Sequence, residues 1–385
     1  MMKKALVIGG SNGIGLAIAL HLAQQHSAHV VIIDKDEPAV ELPANVSFLR
    51  HNLLDDDLTF LPDPAEVDTL VFTAGFGRVA PFETIVEAEI RNQFQVNAIS
   101  PVMVLKHYFS RMRQSEPFYC AVMGSIAGWV SSPLFALYSA TKAAVCKAIE
   151  ALNVELEMCG TGNRILNVSP GSIKGTRFNG GDNDLTQTSA LAAEIVSRML
   201  MHETLFIPDY EAVFKGVLER YHSDAHQFGV DSYNYKMESG RFNLNPQVKI
   251  GYMSGTWDLF HVGHLNMMKR AKLYCDYLVV GVHKDASHKG KETFIPFEER
   301  MEIVRNIKWV DQVIPSMAED SDVYETGLVK YDMLFVGSDY KGTERFNRYE
   351  EYFADKGVKI IYFPYTQGTS STQIRNLIIA KQNNG

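Results

Sequence analysis

The chain has 385 residues, enough for two domains, and its 46% apolar and 21% charged content is that of ordinary globular protein, not of a disordered segment. No apolar run reaches about 18 residues, and Met1-Met2-Lys3-Lys4 leads straight into a strand pattern, so neither a membrane span nor a secretory leader is expected. The formal charge of −8 lies entirely in the first part, because the residues from Val248 onward carry 18 basic and 18 acidic groups, and nothing in this balance suggests a nucleic-acid surface.

The four cysteines, Cys120, Cys146, Cys159 and Cys275, have no CxxC or zinc spacing, so reduced thiols in a cytoplasmic protein are expected. In chain order, Lys4–Ile8 reads as a strand. Gly9-Gly10-Ser11-Asn12-Gly13-Ile14-Gly15 follows, and then an Ala/Leu-rich helix to about Gln25. A strand, a glycine turn and a helix make a cradle for a dinucleotide pyrophosphate. The second strand, Val30–Ile33, ends in Asp34, where a carboxylate can accept hydrogen bonds from an adenosine ribose and repel a 2′-phosphate. Lys35 comes next and can tolerate that phosphate, so NAD is only slightly favoured over NADP.

The alternation continues through strands at Val46–Leu49 and Thr69–Phe72, a helix over Glu83–Tyr108, a strand at Phe118–Met123, a long helix over Phe135–Met158 and a strand at Ile165–Val168. Such alternation predicts a doubly wound parallel sheet with its ligand at the strands' carboxyl ends. Ser125 closes the fifth strand, Tyr138 follows on the next helix, and Lys142 lies one helical turn beyond it. Together with the glycine pattern and Asn97, this set resembles the short-chain dehydrogenase/reductase family over roughly residues 1–210. The resemblance implies that Tyr138 is the acid and that Lys142 lowers its pKa and holds the nicotinamide ribose. It also implies that Ser125 polarises the substrate carbonyl and that Asn97 supports a proton relay. An ordinary phenol near pKa 10 is a poor acid at neutral pH, and a neighbouring ammonium favours the phenolate. Ala74-Gly75, Pro170-Gly171 and Ile173 correspond to the family's cofactor-lining turns, and Asn52 stands where an aspartate often meets adenine. Ile8, Thr73 and the position of Thr176 depart from the family pattern.

A helix is expected over Thr188–Met201, then a short strand at Leu205–Pro208 and a helix over Ala212–Tyr221. From Ser223 to Pro246 the chain turns polar and aromatic, too aromatic for a free linker. The expected division is therefore a first domain over 1–222, an ordered connector over 223–246 and a second domain over 247–385.

In the second domain an apolar run ends in Gly255-Thr256-Trp257-Asp258-Leu259-Phe260-His261-Val262-Gly263-His264, which opens a helical pattern. Two histidines three apart at a helix start can face one anion beside main-chain N–H groups. Tyr277–Val282 is a strand, followed by a loop with Lys289-Gly290-Lys291. A helix begins at Pro296 and carries Arg300, with strands at Val310–Ile314, Met333–Gly337 (ending at Ser338-Asp339) and Val358–Phe363. The chain closes with Thr366-Gln367-Gly368-Thr369-Ser370-Ser371-Thr372-Gln373-Ile374-Arg375, whose Ser-Ser-Thr run is also an ordinary helix-capping cluster. These motifs resemble the nucleotidyltransferases that include glycerol-3-phosphate cytidylyltransferase, over about residues 248–381. The resemblance implies nucleotide contacts from Gly255, Thr256, Trp257, Asp258, His261, His264, Asp339, Thr366, Gly368, Ser370, Ser371 and Thr372. Charge balance would come from Lys289, Lys291 and Arg300, with Mg²⁺ accompanying CTP. Lys308 and Tyr365 stand where that pattern carries arginines, which leaves the acceptor open.

The whole chain is thus expected to be α/β, with two Rossmann-like doubly wound parallel-sheet domains in tandem. A reductase that makes a polyol phosphate from a ketose phosphate, followed by a cytidylyltransferase that activates it, would yield CDP-ribitol or CDP-glycerol for cell-surface polysaccharide. The alternatives are a catalytically idle reductase-like oligomerisation domain and a transferase using ATP. Both families commonly self-associate, so a homo-oligomer is expected.

Overall fold

Ala5 and Val7 of the first strand enter one apolar core, while Leu6 and Ile8 enter another. That division is the mark of a parallel strand covered on both faces. The computed structural model describes residues 4–55, 58–179, 183–239, 248–284, 292–317, 319–364 and 373–374. The chain divides into two compact units, Met1–Gln247 and Val248–Gly385.

The first unit contains β1 (Lys4–Ile8), α1 (Gly13–Gln25), β2 (His29–Asp34), β3 (Val46–Arg50), β4 (Thr69–Phe72), α2 (Glu87–Phe94), α3 (Ser100–Met112), β5 (Tyr119–Met123), α4 (Ala136–Met158), β6 (Ile165–Val168), α5 (Leu185–Leu200), β7 (Leu205–Phe206), α6 (Lys215–Ser223) and α7 (Ala225–Glu238). Its strands run parallel in the order β3-β2-β1-β4-β5-β6-β7. Leu16, Ile18 and Leu22 of α1 meet Ile195, Val196 and Met199 of α5 on one face. Val104, Leu105, Val145 and Ile149 of α3 and α4 cover the other. The strand order reverses between β1 and β4, and a doubly wound sheet opens its ligand crevice at such a point.

The helix expected over Glu83–Tyr108 is broken. A π-helical turn at Gln95–Ile99 separates α2 from α3 and carries the buried Asn97. π-Bulges of this kind gather at functional positions. The aromatic stretch after Ser223 forms α7, capped by Asp224, whose carboxylate accepts from Gln227 N–H at 2.9 Å.

The second unit contains β8 (Ile250–Gly255), α8 (Val262–Lys272), β9 (Tyr277–Val282), α9 (Phe297–Arg305), β10 (Gln312–Pro315), α10 (Asp320–Glu325), β11 (Met333–Gly337), α11 (Glu344–Phe353) and β12 (Lys359–Phe363). All pairings in its sheet, ordered β10-β9-β8-β11-β12, are parallel. Met253, Leu278, Val280 and Phe335 from the strands pack on Met268 and Ala271 of α8 and Val304 of α9. Here the order reverses between β8 and β11, which places the crevice at Gly255. Among the described residues no helix is long and apolar enough to cross a membrane.

Two candidate active sites

In the first unit the turn after β1 lies against the turn after β4. Gly9 has φ +86°, and a Cβ there would stand 2.3 Å from Ala74 N, so no larger residue fits without moving the β4 turn. Thr73, one of the departures from the family pattern, donates its hydroxyl to Gly9 O at 3.0 Å and Ile8 O at 3.2 Å, tying these turns together. Gly15 packs beneath, against Gly9 O and the Thr73 hydroxyl, and Ile14 leans on the α1 core. Asn12 caps the start of α1 in extended conformation, and its Oδ1 is buried without a hydrogen-bond partner among the described residues. Gly13 N–H donates to Asn183 Oδ1 at 2.6 Å.

At the end of β2, Asp34 accepts from Ser11 N at 3.1 Å and from Asp36 N at 3.3 Å. Burial raises its pKa above the ordinary carboxylate value, and these main-chain donors oppose that shift. The Ser11 hydroxyl is turned to Asp36 O at 2.5 Å. Asn52 uses its Oδ1 locally, accepting from Leu54 N at 3.2 Å.

The four residues read as catalytic meet at the carboxyl end of β5. Ser125 lies just past that strand; its Oγ accepts from Ala127 N at 3.2 Å and lies 3.5 Å from Pro170 O. Tyr138 and Lys142 share one face of α4, both buried, and the phenol is hydrogen-bonded to Ser125. Lys142 Nζ donates to Met123 O at 2.8 Å. Asn97 pairs with both main-chain groups of Phe76, accepting from N at 3.0 Å and donating to O at 2.8 Å, and donates to Thr141 Oγ1 at 3.1 Å. Gly75 lets this cluster close up: a Cβ there would lie 3.2 Å from Asn97 Oδ1 and 3.3 Å from Lys142 Nζ. The sequence reading missed Phe135 and Phe178, whose rings flank Tyr138 at 4.4 and 5.1 Å. It also missed Gly77, which lies against the phenol ring; the glycine repeat Gly75-Phe76-Gly77 was the available signal.

In the second unit β8 runs into a turn with two left-handed non-glycine residues, Trp257 (φ +54°) and Leu259 (φ +48°). Such backbone is costly and persists when its surroundings hold it. The indole of Trp257 lies over Gly255, and its N–H donates to Gly281 O at 2.9 Å. Asp258 is buried and accepts from Phe294 N at 3.1 Å and Ile295 N at 3.0 Å. His261 caps α8: its Nδ1 accepts from Gly263 N at 3.0 Å, which leaves the proton of the neutral ring on Nε2. The His261 and His264 rings stack at 3.9 Å, and burial lowers the pKa of His261. Asp339 stands over Gly337 at the end of β11. Lys289, Lys291, Thr366, Gly368, Ser370, Ser371 and Thr372 lie outside the described residues, as does Tyr365. The adjoining described residues, Lys284 and Pro364, follow the carboxyl ends of β9 and β12.

A family model described as short chain dehydrogenase matches residues 60–185, and one described as Cytidylyltransferase-like matches residues 252–377. Glycerol-3-phosphate cytidylyltransferase of Bacillus spizizenii is 36% identical over 123 residues, 31% of this chain and 90% of that protein. Through its second unit the chain belongs to the cytidylyltransferase family. Ethanolamine-phosphate cytidylyltransferase of Mus musculus is 34% identical over 136 residues, covering 34% of this chain and 33% of that protein. A short-chain dehydrogenase from Streptomyces avermitilis superposes on 61% of this chain and 99% of its own, at TM-score 0.48 and 21% identity. By the two family matches, the protein is an enzyme in which a short-chain dehydrogenase match precedes a glycerol-3-phosphate cytidylyltransferase-like domain.

Two expectations change with the geometry. In the reductase domain, burial is the larger influence on both partners: it pushes the Tyr138 phenol above its ordinary range and pushes Lys142 down to about 8. The expected lowering of the phenol by the lysine is not the balance found; the Ser125 hydrogen bond is the influence that lowers it. In the cytidylyltransferase domain, Arg300 is fully buried, and its guanidinium donates to four main-chain carbonyls: Ile295, Thr256, His283 and Lys284. The arginine expected to balance phosphate charge instead joins the histidine turn to the end of β9. Lys308 is exposed on the turn after α9.

Proposed function

We propose that the first domain reduces a ketose phosphate to a polyol phosphate with NAD(P)H. The second then transfers a cytidylyl group from CTP to that phosphate, giving a CDP-polyol (CDP-ribitol or CDP-glycerol) and pyrophosphate. The observation that carries this reading is the pairing, in one chain, of the Ser125–Tyr138–Lys142–Asn97 cluster with the stacked His261 and His264.

The bare Gly9 and the Gly13 N–H suit a dinucleotide pyrophosphate at the start of α1. Ser11, Asn12, Gly13, Ile14 and Gly15 would line it, with Asp34 at the adenosine ribose and Asn52 near the base. Ala74, Gly75, Pro170, Gly171 and Ile173 would border the nicotinamide half. That cofactor, when bound, supplies the hydride. Ser125 Oγ holds the ketose carbonyl oxygen, and Tyr138 passes it a proton. Lys142 keeps a positive charge beside the phenol, and Asn97 holds the chain through which the proton is replaced. Asp34 leans the choice toward NAD.

Nucleotidyl transfer needs no protein nucleophile. An acceptor phosphate oxygen bonds to the α-phosphorus of CTP as the bond to pyrophosphate breaks, so catalysis is positioning plus charge neutralisation. The Nε2–H of His261 and the ring of His264 would donate to phosphate oxygens, with Lys289 and Lys291 supplying positive charge. Gly255, Thr256, Trp257, Asp258 and Asp339, with Thr366, Gly368, Ser370, Ser371 and Thr372, would frame the nucleotide. Mg²⁺ would accompany the triphosphate of CTP. Both steps fit a reducing cytoplasm and would supply cell-surface polysaccharide assembly.

A single mixture tests the reading: protein, NADH or NADPH, CTP, Mg²⁺ and a panel of ketose phosphates, with mass spectrometry of the product. A CDP-polyol that requires every component supports it. No nicotinamide oxidation with any ketose phosphate, alongside CDP-polyol from ready-made polyol phosphate, would leave the first domain as an oligomerisation module.

A further inference from the structure

Residues 210–238, at the end of the first unit, lie outside its sheet and bear on the reductase site in two places. Phe214, closing the π-helical turn Tyr210–Phe214, sets its ring against Gly171, next to the Pro170 carbonyl beside Ser125. Further on, α7 lies on the loop Ser131–Pro133, with Gly229 facing Ser131 and Pro133. That loop continues through Leu134, held at φ +62°, into Phe135, whose ring stacks 4.4 Å from Tyr138. The segment thus brackets Ser125 and Tyr138.

Within this bracket Lys236, on α7, donates from Nζ to Ser132 Oγ at 2.7 Å, Pro133 O at 2.8 Å and Ser232 Oγ at 3.2 Å. All three acceptors are neutral, and no carboxylate pairs with this half-buried ammonium among the described residues. Arg78 is paired with Glu89 and Lys272 with Asp311, whereas Lys142 and Arg300, like Lys236, donate to neutral groups but are nearly or fully buried where Lys236 is half-buried. Taking a cation partly out of water without a counter-charge is costly, and an arriving anion removes that cost. Burial alone pushes Lys236 down to about 8.

We propose that Lys236, with the hydroxyls of Ser132 and Ser232, receives the phosphate of the reductase substrate. The assignment rests on the reductase reading above and names the group that selects a phosphorylated ketose. Only Leu134 separates the Pro133 carbonyl from Phe135, whose ring lies against Tyr138, so the proposed phosphate position is on the loop that leads to the phenol. The Ser232 contact is the longest of the three and is the one to be exchanged. Both hydroxyls can rotate to donate to phosphate oxygens. An unphosphorylated ketose leaves the ammonium without its counter-charge.

The test is the ratio of kcat/KM for D-ribulose 5-phosphate or dihydroxyacetone phosphate to that for the unphosphorylated parent, in wild type, Lys236→Met and Lys236→Arg. Charge-assisted contacts to phosphate set the expected fall of this ratio in Lys236→Met at about 30-fold, carried mainly by KM, with recovery in Lys236→Arg. NAD(P)H binding followed by fluorescence establishes that the variants are folded. A ratio within roughly twofold of wild type overturns the assignment, whether both rates fall together or neither falls. If the wild type reduces no ketose phosphate, the reductase reading fails, and the subsite is judged by amine acylation of Lys236 read by mass spectrometry. Protection by inorganic phosphate then sustains an anion site, and no protection removes it.

Discussion

Lys142 is held by Met123 O where the surroundings favour its neutral form, so its charge is maintained against the protein interior. Its pKa is about 8 in the fold against an ordinary 10.5, so between these values the unfolded chain binds more protons than the native one. Stability on this group's account therefore rises with pH across that window and is lowest below it. Lys142→Met removes the dependence. Wild type should gain on the variant as pH rises from about 8 toward 10, read as the difference between their urea midpoints for the first domain. A difference that stays constant would mean the ammonium is solvated. At Arg300 the four carbonyl bonds predict a stability effect. Lysine offers three donors on one nitrogen, so Arg300→Lys strands carbonyls at a cost on the order of 2–5 kcal/mol in the second domain, measured by denaturant unfolding without nucleotide. An unchanged midpoint with a raised KM for CTP would restore the phosphate-binding role. The Tyr138–Lys142 pair was legible because residues four apart on a helix share a face. The carbonyl partners of Arg300 were not, because they come from three separate segments.

At the level of elements, the strand–turn–helix at Gly9–Gly15 was readable because glycine spacing and the apolar run define it locally. What the sequence did not reveal is that Asn183, far along the chain, places its amide oxygen 2.6 Å from the Gly13 N–H. A pyrophosphate using that N–H must displace it. Asn183→Ala should therefore tighten NAD(P)H binding by about fivefold, the equivalent of one neutral hydrogen bond, as measured by fluorescence titration. Weaker binding would mean that Asn183 assists the cofactor. The π-helical turn at Gln95–Ile99 was also illegible, since the sequence there carries an ordinary helical pattern. Its register is set by the Asn97 contacts with Phe76 and Thr141.

Across the whole molecule, each domain has its own parallel sheet and its own core, and the described residues of each candidate site come from one domain. The two activities should therefore separate by mutation. Tyr138→Phe is expected to lower ketose-phosphate-dependent NAD(P)H oxidation by about 10²–10⁴ while CDP-polyol still forms from supplied polyol phosphate. His264→Ala should do the reverse, stopping pyrophosphate release and sparing the reduction. Loss of both activities in either variant would show that the sites depend on each other.

The sequence by itself determined the two α/β domains and their order, and it named the residues of the candidate clusters. These rest on local periodicity and on spacings that one helix or one turn converts directly into proximity. Only the tertiary structure decided which polar groups those clusters spend on the protein itself. Ser11 turns to Asp36, Asn52 to its own loop, and Arg300 to carbonyls. Lys236 reaches the loop before Tyr138 from a helix about a hundred residues downstream, as its bonds to Ser132 and Pro133 record. Hydrogen bonds and desolvation depend on which distant segments pack together, and no short stretch of sequence carries that information.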